Sequence, residues 1–430
     1  MNFIHAPVPL REPEHEAHFK IKEAHDCRFC GQALEEPFLD LGRMPLANAY
    51  LMPDALDRQE PKYPLKVFFC PECFLVQVPP NVIGEDIFSE YAYFSSNSRS
   101  WLDAANRYVK KIRSRLRLNK KSRVVEIASN DGYLLQYFKA LGISVLGVEP
   151  AKNVAEIAIQ KRIPTVVRFF GEALARDLVV RGHAADLIVA NNVLAHVPDL
   201  NDFVRGLQIL LKPQGTATIE FQHLMCLLKG NQFDTIYQEH YSYFSLITVQ
   251  SVFEAAGLEV YDVEELPTHG GSLRIYVSHF GAHRVTHRIG RLVLREKKAG
   301  LHRLETYQQF ASRIAGIRQG LLAFLRNAKK DKKIVLGYGA PAKGNTLLNY
   351  CKITRELLPA TADVSPYKQG RYLPGSRIPI VAPDFIRTKR PDFLLILAWN
   401  LRQEIMSQMS WIRTWGGKFV VPIPAVRIYR

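Results

Sequence analysis

Arg123-Val124-Val125-Glu126-Ile127-Ala128-Ser129-Asn130-Asp131-Gly132-Tyr133-Leu134-Leu135 passes from an apolar run, through a turn of small and polar residues, into a helical segment. Outward from it, Val145-Leu146-Gly147-Val148-Glu149, Thr165-Val166-Val167, Ala185-Asp186-Leu187-Ile188-Val189-Ala190 and Ala217-Thr218-Ile219-Glu220-Phe221 repeat the apolar run, with helical stretches between. Apolar strands separated by helices predict a parallel, doubly wound, Rossmann-like sheet. In such a sheet the turn after the first strand is the cofactor site, because backbone and ligand must approach closely at a helix N-terminus. Ala128, Ser129 and Gly132 permit that approach, and Glu126 opens the turn. Glu149 closes the second strand, where a carboxylate accepts from both hydroxyls of a ribose. Asn191 and Asn192 end the fourth strand and supply polar edges opposite the turn; Phe170, after the third, is placed to flank an adenine ring.

This arrangement resembles the class I S-adenosylmethionine-dependent methyltransferases, in which an acid opens a glycine-rich turn and a second acid binds the ribose. The chain departs from that pattern at Ala128 and Asn130, which stand where the first two glycines belong. On this segment alone a dinucleotide-binding dehydrogenase, or a turn with no ligand, stays open.

Toward the N-terminus, Cys27-Arg28-Phe29-Cys30 and Cys70-Pro71-Glu72-Cys73 use four of the six cysteines. Two such pairs suit one tetrahedral, structural zinc ion with no open coordination position. Residues 1–26 carry Arg11, Glu12, Glu14, Glu16, Lys20, Lys22 and Glu23 and no apolar signal segment, which argues for a reducing cytoplasm and against disulfides. Toward the C-terminus, Lys333-Ile334-Val335-Leu336-Gly337-Tyr338-Gly339, Thr361-Ala362-Asp363-Val364 and Asp392-Phe393-Leu394-Leu395-Ile396-Leu397-Ala398 predict a second α/β sheet after a helical region from about Arg288 to Asn327. The expected domains are a zinc-binding module over 1–85, a methyltransferase domain with a helical connector over 86–285, and a second Rossmann-like domain over 286–430. A hydrophobic fraction of 47% without an uncharged run long enough to span a bilayer excludes a membrane protein. The net charge of +16 favours a polyanionic partner. The densest basic stretch, Lys110 to Arg123, lacks interleaved aromatics and reads as the solvated face of a linking helix.

Asp234-Thr235-Ile236-Tyr237-Gln238-Glu239-His240-Tyr241-Ser242-Tyr243-Phe244 gathers an acid, a histidine and tyrosines at the carboxyl edge of the sheet, a grouping suited to proton transfer. Here the chain closely resembles the deoxysugar C-methyltransferases, which methylate nucleotide-linked 4-keto-6-deoxy sugars. The resemblance covers nearly the whole length. It runs through the cysteine pairs, Gly42-Arg43-Met44-Pro45-Leu46-Ala47-Asn48, Tyr91-Ala92-Tyr93-Phe94-Ser95-Ser96, Glu126 to Gly132 and Asn191-Asn192-Val193-Leu194-Ala195-His196. It continues through Tyr237-Gln238-Glu239-His240, His269-Gly270-Gly271-Ser272-Leu273-Arg274, Gly337-Tyr338-Gly339-Ala340-Pro341-Ala342-Lys343-Gly344 and Leu397-Ala398-Trp399-Asn400. Ala128 and Asn130 belong to this family's own pattern.

The resemblance implies that His240 removes the proton beside the C4 ketone, that Glu239 orients it, and that Tyr237 or His196 donates to the enolate oxygen. Tyr91 or Tyr93 supplies a further hydroxyl. The donor is held by Glu126, Ala128, Asn130, Gly132, Glu149, Phe170, Asn191 and Asn192, and zinc by Cys27, Cys30, Cys70 and Cys73. The implied substrate is a nucleotide sugar, thymidine diphosphate-linked and methylated at C3 or C5; the oligomeric state is left open, with a monomer compatible, and neither nucleic acid nor membrane takes part. The C-terminal domain is implied to be a duplicated sheet that has lost its cofactor and covers the substrate, with Lys343, Lys368, Arg371 and Arg274 near its diphosphate. Two rival readings are a zinc-containing RNA methyltransferase, which predicts salt-sensitive RNA binding, and a non-catalytic nucleotide-sugar-binding protein, which predicts no binding of S-adenosylmethionine.

Overall fold

The computed structural model describes residues 25–82, 94–97 and 99–430. Its centre is a seven-stranded sheet of β1 (Arg123–Ile127), β2 (Ser144–Val148), β3 (Thr165–Val166), β4 (Ala185–Asn191), β5 (Leu211–Gln222), β6 (Leu258–Leu266) and β7 (Ser272–His279), ordered β6-β7-β5-β4-β1-β2-β3. β1 to β5 run parallel, as their continuous apolar runs predict. Val124, Val125, Leu187 and Ile188 are buried from both faces, and each such side chain contributes about 1.5–3 kcal/mol. β7 is antiparallel to both β5 and β6, so the sheet is mixed at one edge. The strand order reverses between β1 and β4, which opens the ligand crevice at their carboxyl ends.

The N-terminal module is a small antiparallel sheet of strands Leu39–Met44, Tyr63–Phe69 and Val76–Gln77. Its fourth strand, Ser242–Tyr243, comes from the central domain, two residues after His240. The seam continues where the Val78 amide donates to the Tyr241 carbonyl at 2.9 Å. The C-terminal sheet orders Ile380–Val381, Thr361–Ala362, Val335–Tyr338, Phe393–Ile396, Lys418–Val421 and Arg427–Tyr429, all parallel except the last. The helix Leu304–Lys330 that leads into it buries Tyr307, Phe310, Ile314, Ile317, Leu321 and Leu325, spaced three or four apart on one face. Tyr307 lies 4.7 Å from Phe69 and 5.2 Å from Phe38 between ring centroids, so this helix also packs on the N-terminal module.

In the helix Arg99–Arg115 and the turn after it, Lys110, Lys111, Arg113, Arg117, Lys120 and Lys121 are exposed as the solvated reading expects, while Arg115 turns toward the sheet. Arg115 donates to Asp262 at 2.5 Å and lies 3.8 Å over the Tyr276 ring, while Lys111 pairs with Glu264 at 2.7 Å. These cations tie the helix to the sheet edge. Among the described residues no helix is long and apolar enough to cross a membrane.

Candidate active site at the junction of three domains

The turn after β1 is built on left-handed backbone. Ala128, Asn130 and Gly132 have φ of 56°, 50° and 75°, so the alanine and asparagine adopt a conformation glycine reaches without strain. At Gly132 a Cβ would add a close approach, 2.4 Å from the terminal methyl of Ile163, to the strain of its left-handed φ. Glu149 fixes the turn by accepting from the amides of Asn130 at 2.8 Å and Ala151 at 2.9 Å. At the carboxyl ends of β1 and β4, Ser129 Oγ and Asn191 Oδ1 have no hydrogen-bond partner among the described residues, and the buried Glu126 carboxyl is met there only by the Tyr133 side chain. Such orphaned atoms are rare in folded proteins unless a ligand satisfies them. Burial, then Glu149 and Asp131, raises the Glu126 carboxyl well above its ordinary range. A polar ligand with positive charge is what this cradle lacks, and S-adenosylmethionine fits. Asn192, at φ 53°, bonds the His269 ring at 3.3 Å across the crevice. Phe170 turns edge-on to Phe203, 5.4 Å away, and joins the core; the exposed member of the pair is Phe169.

Two histidines face each other beside this cradle, their ring centroids 4.6 Å apart. His240 Nδ1 lies 2.8 Å from the Thr235 carbonyl and Nε2 2.9 Å from the Tyr237 hydroxyl. A carbonyl only accepts, so Nδ1 carries the hydrogen and Nε2 the lone pair. Burial, then the neighbouring His196, holds His240 well below its usual value and therefore neutral. His196 Nδ1 is likewise pinned at 2.8 Å by the Glu239 carbonyl, and burial pushes this ring down to about 4.

These contacts correct two expected roles. Glu239 does not orient His240: its carboxylate accepts from Asn48 Nδ2 at 2.8 and 2.9 Å, and the orienting group is the backbone oxygen of Thr235. His196 cannot donate to an enolate oxygen while neutral, because its one N–H is committed and its Nε2 only accepts. Tyr91 and Tyr93 lie outside the described residues.

Cys27, Cys30, Cys70 and Cys73 bring their sulfurs within 4.8 Å of one another. The Cys27–Cys73 and Cys30–Cys70 separations are both 3.5 Å, near the edge of the tetrahedron that Zn–S bonds of about 2.3 Å define. Each knuckle closes on a left-handed residue after its second cysteine, Gly31 at φ 77° and Phe74 at φ 63°. Gln77 donates to Cys27 Sγ at 3.1 Å. The residues fit a structural zinc ion. The first knuckle also braces the histidine loops: Arg28 donates to the carbonyls of Val78 and Pro198 and lies 5.4 Å over the Tyr241 ring.

The C-terminal domain repeats the cradle's backbone logic. Asp363 accepts from the amides of Ala340 at 2.7 Å and Ser365 at 2.8 Å, as Glu149 does from Asn130 and Ala151. Tyr50 of the N-terminal module and Lys368 both donate to the Ala340 carbonyl there, at 2.6 and 2.9 Å. Of the cations expected near a diphosphate, Arg274 is instead paired with Glu220 at 2.5 Å and Arg371 is stacked 3.9 Å over Tyr367.

Residues 267–424 match the family model of a C-methyltransferase C-terminal domain, residues 99–263 a methyltransferase domain, and residues 27–88 a zinc binding domain. The C-methyltransferase NovU of Streptomyces niveus is 34% identical over 409 residues, covering 95% of this chain and 97% of that protein. Among solved structures, a protein of Pyrococcus horikoshii OT3 aligns at TM-score 0.36 and 15% identity over 45% of this chain and 97% of its own. The magnesium protoporphyrin IX methyltransferase of Synechocystis PCC 6803 with bound SAM aligns at TM-score 0.31 and 14% identity over 41% and 77%. With a donor cradle, a four-cysteine zinc site and full-length similarity to NovU, this S-adenosylmethionine-dependent methyltransferase belongs to the C-methyltransferase family.

Proposed function

We propose that the enzyme methylates a carbon beside the C4 ketone of a nucleotide-linked 4-keto-6-deoxy sugar, carried by thymidine diphosphate, with His240 as the base. The observation that carries this reading is the pinned tautomer: the Thr235 carbonyl holds Nδ1–H at 2.8 Å and leaves the lone pair on Nε2. A neutral imidazole whose hydrogen is fixed away from the substrate can only accept a proton there. Nε2 takes the proton from the sugar carbon, and the electron pair left behind spreads onto the ketone oxygen. Bound S-adenosylmethionine supplies an electrophilic methyl group. Glu126, Glu149 and Asn191 hold and orient that donor at the ends of β1, β2 and β4, with Ala128, Asn130, Gly132 and Asn192 shaping the turns. The Tyr237 hydroxyl donates to that lone pair at 2.9 Å until the sugar displaces it and then relays the proton outward, and Asn48 with Glu239 braces the loop.

The sugar class rests on the resemblance to the deoxysugar C-methyltransferases, and the net charge of +16 favours a diphosphate-bearing substrate. The reading takes no nucleic acid as partner, since the largely exposed basic run from Lys110 to Arg123 has no interleaved aromatics on which bases would stack. It places the enzyme in the cytoplasm, where nucleotide sugars and reduced thiols coexist. The test is incubation of wild type and His240→Ala with a panel of 4-keto-6-deoxy nucleotide sugars in deuterated water, with donor affinity measured alongside. Wild type should add one methyl and exchange the neighbouring proton, and the variant should do neither while binding the donor. Full turnover by His240→Ala would end the assignment.

A further inference from the structure

The enolate oxygen needs a donor, and both groups named for it are engaged elsewhere. Tyr237 meets His240 Nε2, and neutral His196 presents only an acceptor. The C-terminal domain delivers a different group. Lys343, in the first turn of helix Ala342–Tyr350, donates to Asn400 Oδ1 at 3.0 Å and lies 4.8 Å from the Trp399 ring centroid. The same indole donates Nε1 to Asp234 Oδ2 at 2.6 Å. Asp234 precedes Thr235, whose carbonyl pins His240. The far edge of the indole abuts Gly270, where a Cβ would come within 2.8 Å, and the adjoining His269 bonds Asn192 at the end of β4. Through this indole the ammonium is tied both to the loop that pins the base and to the turn that meets the donor cradle.

Its surroundings leave it short of partners. An ammonium has three hydrogens to donate. Among the described residues, Lys343 has one side-chain acceptor, a neutral amide, and no carboxylate within 4.0 Å. Asp234 sits nearby, fully buried, with Oδ1 unpartnered among the described residues. Burial lowers the Lys343 ammonium, and its charge helps depress both His240 and His269, which agrees with a position facing both rings.

We propose, resting on the keto-sugar reading above, that Lys343 is a catalytic residue: steered by Asn400 and Trp399, its ammonium donates to the ketone oxygen and stabilises the charge that develops there. As His240 Nε2 takes the proton, the C–H pair becomes the enolate C=C bond and the carbonyl π pair moves onto oxygen, facing Lys343 N–H. The ammonium keeps its proton. The enolate pair then forms the C–CH3 bond, the S–CH3 pair returns to sulfur, the carbonyl re-forms, and His240 releases its proton to solvent.

The test uses the full chain with Lys343→Met and Lys343→Arg and a 4-keto-6-deoxy nucleotide sugar in deuterated water, with S-adenosylhomocysteine for the exchange measurement and S-adenosylmethionine for turnover. Lys343→Met should slow exchange at the enolising carbon, and kcat for methylation, by about a hundredfold to a thousandfold. Donor affinity should stay within about twofold, and Lys343→Arg should keep exchange within about tenfold of wild type. Exchange by a folded Lys343→Met within about threefold of wild type, or a rise in KM alone, overturns the proposal. Should Lys343→Met melt early, Asn400→Leu keeps the cation but removes its steering partner: a loss of fivefold or more supports the assignment and unchanged exchange overturns it. If wild type exchanges no 4-keto sugar, the substrate reading itself falls and this assignment with it.

Discussion

Glu239→Gln is the sharpest perturbation of the bracing under the base. Burial raises the Glu239 carboxyl from 4.5 to about 7, against the lowering effect of the two Asn48 hydrogen bonds. The folded chain thus holds this proton more tightly than the unfolded chain. Raising the pH from 4.5 through about 7 therefore pulls the equilibrium toward unfolding, because the ionised carboxylate is better solvated there. The stabilisation is fully present below the unfolded value and lost above the folded one; its size is about 3 kcal/mol at 1.36 kcal/mol per pH unit. Glutamine has nearly the same shape and no proton to lose. Any fixed cost of replacing the carboxylate is independent of pH, so the difference in stability between variant and wild type isolates the titration. Thermal and urea unfolding of both proteins, from pH 4 to pH 8.5, should give a difference flat below about 4.5 that moves in favour of Glu239→Gln by about 3 kcal/mol above about 7. A difference constant across that range would refute the buried, protonatable carboxyl and the cause assigned to it.

Two further outcomes follow from the turn and the metal site. Ala128→Gly relieves left-handed strain of about 1–2 kcal/mol against about 0.5–1 kcal/mol of added unfolded-state freedom, so melting should hold or rise slightly with donor binding unchanged; a destabilisation above about 1 kcal/mol would contradict the strain at φ 56°. Removing zinc with a chelator, or by Cys70→Ser, should abolish methyl transfer while calorimetry still finds donor binding within about fivefold, because Arg28 and Asn48 reach the histidine loops while Glu126 and Glu149 lie on the central sheet. Parallel loss of both would show that the cradle depends on the module.

The parallel strands were legible because burial from two faces demands unbroken apolar runs, as in Val124-Val125 and Ile188-Val189-Ala190. β6 and β7 escaped that reading: polar residues such as Asp262, Glu264 and Arg274 interrupt them, and the sheet accommodates Asp262 and Arg274 by pairing them with Arg115 and Glu220. Ala128 and Asn130 looked like departures because a residue pattern reports side chains, whereas the turn selects φ. The four cysteines were readable from spacing alone. Thr235 was not, since it acts through a carbonyl that every residue possesses. Asn48 was noticed only as part of a motif, because its partner Glu239 stands 191 positions away. Lys343 lies in a glycine turn that spacing could relate to nucleotides, while its approach to the base depends on how Trp399 docks on Asp234. The Ser242–Tyr243 strand was hidden because two residues are too short a run to carry periodicity.

That short strand binds the fates of two distant segments. Because Ser242–Tyr243 completes a sheet whose other strands lie before residue 78, no cut between the first two domains yields a self-sufficient middle piece. A chimaera importing the donor-binding half of a relative would import a loop shaped for someone else's knuckle. Residues 25–82 and 234–245 are accordingly one heritable unit, to be exchanged together when acceptor preference is re-engineered.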